Sequence, residues 1–397
     1  MNLRVAFYGG SFNPFTEGHR VCLCHAIAMY DKVIVGVGVN PDKEAFLTAE
    51  QCVRLIKASL ADFVSMFKHR ELIGKDFSIT EQIAAERLIY CPECIDIITY
   101  SGLTIDAAIA NEASVLVRGE RLVGDHDAEM QLAHINRELC EIRGYELQTV
   151  TFPVSKADLT YVSSTAVKNL LKQGEYIAAK RYVSPSVHNF LCELMLKQGE
   201  YSSITSGKRT HCADLVKTYR KQKYHNFSHI AYMLNFLKIF KVMNPHKWFP
   251  KKEMQMAIFW HDVDRHEDVS AEMAKDVALK LNFGNYDLVK KLILATNHKE
   301  QIKDDKDNSF YLELIHDLDL LILGDVKNYG TYAWQVRLEY EENLVCYEEY
   351  VKGRITLLNS FLEKNRIYLT NYFYERFEVM ARENMRKERD FWLSKEL

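Results

Sequence analysis

The chain has 397 residues, 48% hydrophobic and 26% charged, with a formal net charge of −3. That length exceeds one ordinary core, and the composition is that of a globular protein with two or a few domains. The near-neutral charge excludes attachment to nucleic acid or membrane through bulk charge.

In chain order, the runs "LRVAFY", "KVIVGVGV", "IDIITY", "SVLVRG" and "LQTVTFPV" are short, apolar and rich in β-branched residues, with helical patterns between them. This alternation predicts a parallel sheet covered on both faces, a Rossmann-like α/β domain with five strands. Leu3–Tyr8 is too short for a signal peptide, and no apolar run reaches the ~20 residues that span a bilayer. The nine cysteines, including "CLC" at Cys22 and "CPEC" at Cys91, form no secreted framework, and no second CxxC completes a zinc site. A cytoplasmic protein with reduced thiols is expected.

From about Thr210 strand signals stop. "HIAYMLNFLKIF", "MQMAIFW", "SAEMAKDVALKL" and "RITLLNSFLEK" repeat apolar residues at helical spacing, which predicts an all-helical second half. The polar stretch "KQGEYSSITSGKR" reads as a linker, placing the domains at 1–200 and 208–397. "KQGEY" occurs at Lys172 and again at Lys197, as two helix ends stopped by glycine.

The first strand leads into "YGGSFNPFTEGHR". In an open parallel sheet, ligands bind beyond the carboxyl ends of the strands, where a loop meets a helix N-terminus. Gly9, Gly10 and Gly18 let backbone approach a ligand, and the N–H groups of a helix starting near Gly18 favour an anion such as phosphate. Thr16 and His19 project from one turn and can donate to a phosphoryl oxygen.

Thr16-x-Gly18-His19 resembles the TxGH signature of the nucleotidyltransferase superfamily. "VNPDKEAFLTAEQCVRLIKASL", "SGLTIDAAIANEASVLVRGERLVGDHDAEMQLAHINREL" and "YVSSTAVKNLLKQGEY" resemble, in order, segments of phosphopantetheine adenylyltransferase. The resemblance covers about residues 3 to 190. It implies adenylyl transfer from ATP to 4'-phosphopantetheine, with Mg2+ accompanying the ATP and oligomeric assembly. Gly10, Ser11, Phe12, Gly18, His19, Arg121, Glu129, Ser163, Ser164 and Thr165 would meet ATP. Ser11, Lys43, Thr104 and Arg118 would meet the acceptor, and His19, Thr16, Lys43 and Arg118 would carry catalysis. By residue type, Ser163 or Ser164 also suits a helix N-cap. Two features depart from the family: Asn13 stands where Asp is usual, and residues 61–94 exceed the usual connection near the expected acceptor side.

In the second half, "YHNFSH" holds His225 and His229, "WHDVD" holds His261, Asp262 and Asp264, and "HDLDLLILG" holds Asp317 and Asp319. If one helix includes both His225 and His229, they share a face. Imidazole and carboxylate together suit a divalent ion with open coordination positions. The order His, His-Asp, Asp resembles the HD-domain phosphohydrolases, over about residues 209 to 390. That resemblance implies His229, His261, Asp262 and Asp319 as ligands of Mn, Fe, Co, Mg or Zn, with hydrolysis of an unidentified phosphoester or nucleotide. His225 and Asp317 are reserve ligands, His298 and Lys299 candidate phosphate contacts or a solvated helix end, and Asp264 an orienting group or a cap. Adenylyl or cytidylyl transfer to another phosphate acceptor, such as nicotinate mononucleotide, with a nucleotide-sensing or interacting helical half, is the alternative.

Overall fold

The computed structural model describes residues 3–40, 45–120, 123–154, 162–199, 201–202, 212–246, 249–281, 283–298, 305 and 307–395, apart from the side chains of 123–130, 132 and 212–214. The expected sites Lys43, Arg121 and Lys299, and the side chain of Glu129, lie outside this description.

The first half holds strands β1 (Val5–Gly10), β2 (Lys32–Val39), β3 (Ile95–Ser101), β4 (Val115–Glu120) and β5 (Gln148–Pro153). All pair in parallel, in the order β3-β2-β1-β4-β5. The five expected runs are these strands. β1 and β2 are nearly continuously buried, whereas the edge strands β3 and β5 are buried only in part, which is why their apolar runs are interrupted. Successive strands are added to one side of β1 up to β3 and to its other side from β4 on, so the crevice between the carboxyl ends of β1 and β4 is the topological switch point.

Helices α1 (Glu17–Met29), α2 (Ala49–Lys68), α3 (Arg70–Ile73), α4 (Ile79–Tyr90), α5 (Thr104–Ala110), α6 (Val123–Arg143), α7 (Ser164–Lys172) and α8 (Tyr176–Lys180) connect the strands or follow them. A Cβ at Gly36 of β2 would overlap the Phe7 ring, and one at Gly9 would lie 2.6 Å from Thr104 Cγ2, so these glycines are required by packing.

The long connection at 61–94 supplies packing for α1. Glu81 of α4 meets the buried Arg20 at 3.0 Å, and Arg20 also pairs with Glu17 at 2.8 Å. Burial works against the Arg20 charge, but Glu17 and Glu81 outweigh it and hold the guanidinium protonated. Arg87 donates to the carbonyls of Ile27, Tyr30 and Asp31 at the end of α1. Breaking a buried pair such as Arg20–Glu81 by truncating one side typically costs about 3–5 kcal/mol.

Helix α9 (Pro185–Gln198) follows, and the division into two compact units falls within it: the first unit ends at His188 and the second runs from Asn189, taking in Glu71–Gly74. The sequence reading placed that change at 200–208. The two "KQGEY" segments also differ. Gly174 ends α7 in the left-handed region (φ +72°), its N–H bonded to Leu171 O, whereas the Gly199 N–H makes an ordinary helical bond to Met195 O.

The described second unit is helical: α10 (Cys212–Tyr219), α11 (Phe227–Met243), α12 (Lys251–Trp260), α13 (Glu267–Lys280), α14 (Tyr286–Leu294), α15 (Ser309–Asp319), a 3-10 turn (Leu320–Gly324), α16 (Tyr329–Glu342), α17 (Tyr347–Leu362) and α18 (Asn371–Leu393). The run Met254 to Trp260 on α12 is wholly buried, so this helix is a central member of the packing. Among the described residues, no helix is long and apolar enough to cross a membrane.

Candidate active site and candidate metal centre

The first site is built by a helix cap. Thr16 is the N-cap of α1 and His19 its N3 residue, and they form a reciprocal capping box. The Thr16 N–H donates to His19 Nδ1 at 3.0 Å, and the His19 N–H donates to Thr16 Oγ1 at 3.4 Å. Because a backbone N–H can only donate, Nδ1 is the acceptor nitrogen, and the proton of a neutral ring sits on Nε2. Phe12 meets the ring edge-on at 5.2 Å and Phe15 tilts against it at 5.6 Å, fixing its plane.

Of the expected nucleotide contacts, Ser11 is exposed and Gly10 half-buried at the end of β1. The Phe12 side chain is buried against Tyr8 and Phe15, leaving its backbone, at φ +45°, as the part able to meet a ligand. Among the described residues outside its own helix backbone and chain neighbours, a Cβ at Gly18 would come no nearer than 3.7 Å to another atom, so this packing admits a methyl group there. Arg118 is half-buried on β4 across the crevice, its carbonyl accepting the Cys22 thiol at 3.5 Å. Ser163 caps α7 by accepting from Ala166 N–H at 3.0 Å, while Ser164 donates to Pro14 O at 2.8 Å, so the two serines divide the capping and bridging roles. Thr165 is exposed. Thr104, expected on the acceptor, hydrogen-bonds Tyr100 at 2.8 Å and packs on Gly9.

In the second unit, donor atoms of His229, His261, Asp262 and Asp319 all lie within 4.8 Å of one another. His229 extends from α11, His261 and Asp262 follow α12, and Asp319 ends α15. The two Nε2 atoms are 3.3 Å apart; Asp319 Oδ1 lies 3.0 Å from His229 Nε2, and Asp262 Oδ2 lies 2.9 Å from His261 Nε2. His261 Nδ1 is 2.9 Å from Ile258 O, an acceptor only, so Nδ1 carries a proton and Nε2 faces the cluster. The side chains of His229 and His261 are 1% and 0% exposed, those of Asp262 and Asp319 26% and 13%, so the cluster opens on its carboxylate side.

Burial disfavours a charged His261, but Asp262 and Asp319 outweigh it and raise its pKa well above the usual range; burial prevails at His229 and lowers it. Asp262 Oδ2, despite its proximity to His261, is buried without a hydrogen bond of good geometry, as is His229 Nδ1. Paired carboxylates and imidazoles that converge yet leave a polar atom unsatisfied fit a divalent cation held by nitrogen and oxygen.

The reserve ligands His225 and Asp317, with Asp264 and His298, have partners of their own. His225 precedes α11, because Asn226 caps that helix through Ser228 N–H at 2.8 Å; His225 Nδ1 instead meets Glu339 at 2.9 Å. Burial lowers and the Glu339 carboxylate raises the His225 pKa, to about 9. Asp317 accepts from the N–H groups of Leu369 and Thr370 and from the Thr370 hydroxyl, at 2.7, 2.8 and 2.6 Å, and so anchors the start of α18. Asp264 accepts from His266 N–H at 3.0 Å, a local turn. His298 is no solvated helix end: its Nε2 lies 2.9 Å from Asp319 Oδ2, orienting that carboxylate.

The cytidylyltransferase-like family matches residues 7–170. The phosphopantetheine adenylyltransferase of Allorhizobium ampelinum is 33% identical over 189 residues, spanning 48% of this chain and 96% of that protein. The chain belongs to the phosphopantetheine adenylyltransferase family. The phosphopantetheine adenylyltransferases of Brucella anthropi and Clostridium novyi are 35% and 31% identical, each over 172 residues, covering 43% of this chain and 87% and 86% of theirs. A solved Plasmodium falciparum nicotinic acid mononucleotide adenylyltransferase complexed with NaAD is 14% identical, with a TM-score of 0.28 over 49% of this chain and 97% of that chain, too distant to carry an argument.

Apart from Glu71–Gly74, the match to the cytidylyltransferase-like family falls within the first unit, which is a nucleotidyltransferase. Sequence reasoning overlooked Asn13 as more than a departure from the phosphopantetheine adenylyltransferase pattern: it bonds Leu47 at the start of α2 through both ends of its carboxamide. In the second unit it missed Glu339, whose carboxylate also accepts the N–H groups of Tyr224 and His225, at 2.5 and 3.0 Å. No local signal marks Glu339, which lies over a hundred positions from its partners.

Proposed function

We propose that the first unit transfers the adenylyl group of ATP to 4'-phosphopantetheine, giving dephospho-coenzyme A and pyrophosphate. The reading is carried by the capping box of α1, which directs the proton-bearing Nε2 of a neutral His19 ring away from its Thr16 bond. A phosphate oxygen of the acceptor attacks the α-phosphorus, the new P–O–P bridge forms, and the bond to the β-phosphate oxygen breaks. His19 donates to a non-bridging α-phosphate oxygen as charge grows there; Thr16 stabilises the ring through the cap. Lys43 and Arg118 neutralise the approaching phosphates, and Ser11, Arg121, Glu129 and the Ser163–Thr165 helix start hold the nucleotide. Mg2+ accompanying ATP supplies charge neutralisation to the leaving pyrophosphate. Pyrophosphate release by the full chain with ATP, measured with 4'-phosphopantetheine and with nicotinate mononucleotide, tests the reading; turnover of only the second acceptor rejects it.

For the second unit we propose metal-dependent phosphoester hydrolysis, supported by the convergence of His229, His261, Asp262 and Asp319. A bound divalent cation supplies Lewis acidity toward water and toward a phosphoester oxygen. His261 is oriented for that role by its Nδ1–H bond to Ile258, and Asp319 by His298. The more exposed carboxylates mark the side on which substrate enters.

A further inference from the structure

The turn between β1 and α1 is tied in two directions by adjacent residues. Asn13 Nδ2 donates to Leu47 O at 3.1 Å while Asn13 Oδ1 accepts from Leu47 N–H at 3.2 Å. Pro14 O accepts from the Ser164 hydroxyl at 2.8 Å. Leu47 is buried and directly precedes Thr48, the N-cap of α2, and Ser164 is the first residue of α7. One turn thus clasps the beginnings of α2 and α7 to the beginning of α1. Helix α2 follows β2, on the far side of β1 from β4, so the two ties reach to opposite sides of the phosphate turn.

We propose that Asn13 is a positioning residue for adenylyl transfer, holding the start of α2 in register with the phosphate turn so that the acceptor's phosphate meets the nucleotide in line. The proposal rests on the adenylyltransferase reading above. Satisfying both the N–H and the C=O of one backbone residue requires a side chain with a donor and an acceptor in one plane, and a carboxamide has both. The Asp usual in the resembled family would accept from Leu47 N–H but set a carboxylate oxygen against Leu47 O. Here the departure from the family pattern is therefore matched by a backbone carbonyl that needs a donor. In-line transfer is sensitive to displacements of about 1 Å, so a slack clasp reduces productive acceptor binding before it affects nucleotide binding.

The test uses the full chain and two variants, Asn13→Asp and Asn13→Ala, assayed with ATP and 4'-phosphopantetheine. Losing these bonds is expected to raise the acceptor KM about 5- to 50-fold in both, with the ATP KM changed by no more than about 2-fold. Hydrogen exchange is expected to show the Leu47 amide protected in the unaltered protein and to speed up in Asn13→Ala. An unchanged acceptor KM in both variants overturns the proposal, as does an equal rise in both KM values. If a variant fails to fold, rapid exchange at Leu47 in the unaltered protein still overturns it. If the unaltered protein does not use 4'-phosphopantetheine, the functional reading fails separately, and exchange alone decides whether the clasp exists.

Discussion

His19 Nδ1 accepts the backbone N–H of Thr16 at 3.0 Å. A helix cap thereby sets the tautomer of the residue proposed to meet the phosphate, so that the structural bond and the proposed chemical role fall on one ring. His19→Ala removes both the donor and half of the capping box. Turnover is expected to fall about 10²- to 10³-fold, the scale for losing one preorganised donor to a developing negative charge. Steady-state kinetics of the full chain check this, and near-normal turnover rejects the role.

Gly18→Ala separates folding from function. Among the described residues outside its own helix backbone and chain neighbours, the nearest atom to the added methyl group is Thr16 Oγ1 at 3.7 Å, and alanine is favoured over glycine in a helix. The melting temperature is expected to stay level or rise, while a methyl at the helix N-terminus holds the phosphate off and lowers turnover about 10-fold or more. Equal activity with a raised melting temperature places the phosphate elsewhere.

Asp262→Ala and Asp317→Ala are expected to fail differently. The first removes a member of the converging cluster, so bound metal and phosphoester hydrolysis should vanish together, as read by elemental analysis and a phosphatase screen. Hydrolysis persisting in metal-free protein counts against the assignment. The second strips the N–H groups of Leu369 and Thr370 of a buried acceptor, which costs about 1–3 kcal/mol per unsatisfied group, and lowers thermal stability without changing metal stoichiometry in the folded fraction.

His188 offers a pH signature in the first unit. Burial lowers its pKa to about 3, with its Nε2 bonded to Tyr176 O at 2.9 Å. Unfolded, the ring titrates near its ordinary value of about 6.5 and binds the proton that the folded form refuses. Its stabilising effect is fully present above about pH 6.5 and is lost as pH falls toward 3. The melting temperature should therefore drop on acidification from pH 6.5 to 4.5, and His188→Gln, which keeps a donor toward Tyr176, should flatten that slope.

The five strands were legible because each is a local run whose burial shows in its own letters; the expected "KVIVGVGV" is β2 residue for residue. The TxGH turn was equally readable, since a cap and its ring partner lie three positions apart. So were His261 and Asp262, given the apolar run before them. What could not be read was which member of a close pair turns inward. Asp317 and Asp319 are two positions apart on one helix, a rotation of about 200°, so one anchors α18 while the other joins the histidines. His225 and His229 part because Asn226 starts the helix between them.

Thus the sequence alone determined the alternation of strand and helix, the capped Thr16–His19 turn and the inventory of histidines and carboxylates, all of which depend on neighbours within a few residues. Tertiary structure alone decided that Glu339 claims His225, that Glu81 of the long connection neutralises Arg20, and that Asn13 meets Leu47. Those pairings span from 34 to 114 positions. They exist because packing brings distant buried polar groups together, and each must then find a partner in its surroundings.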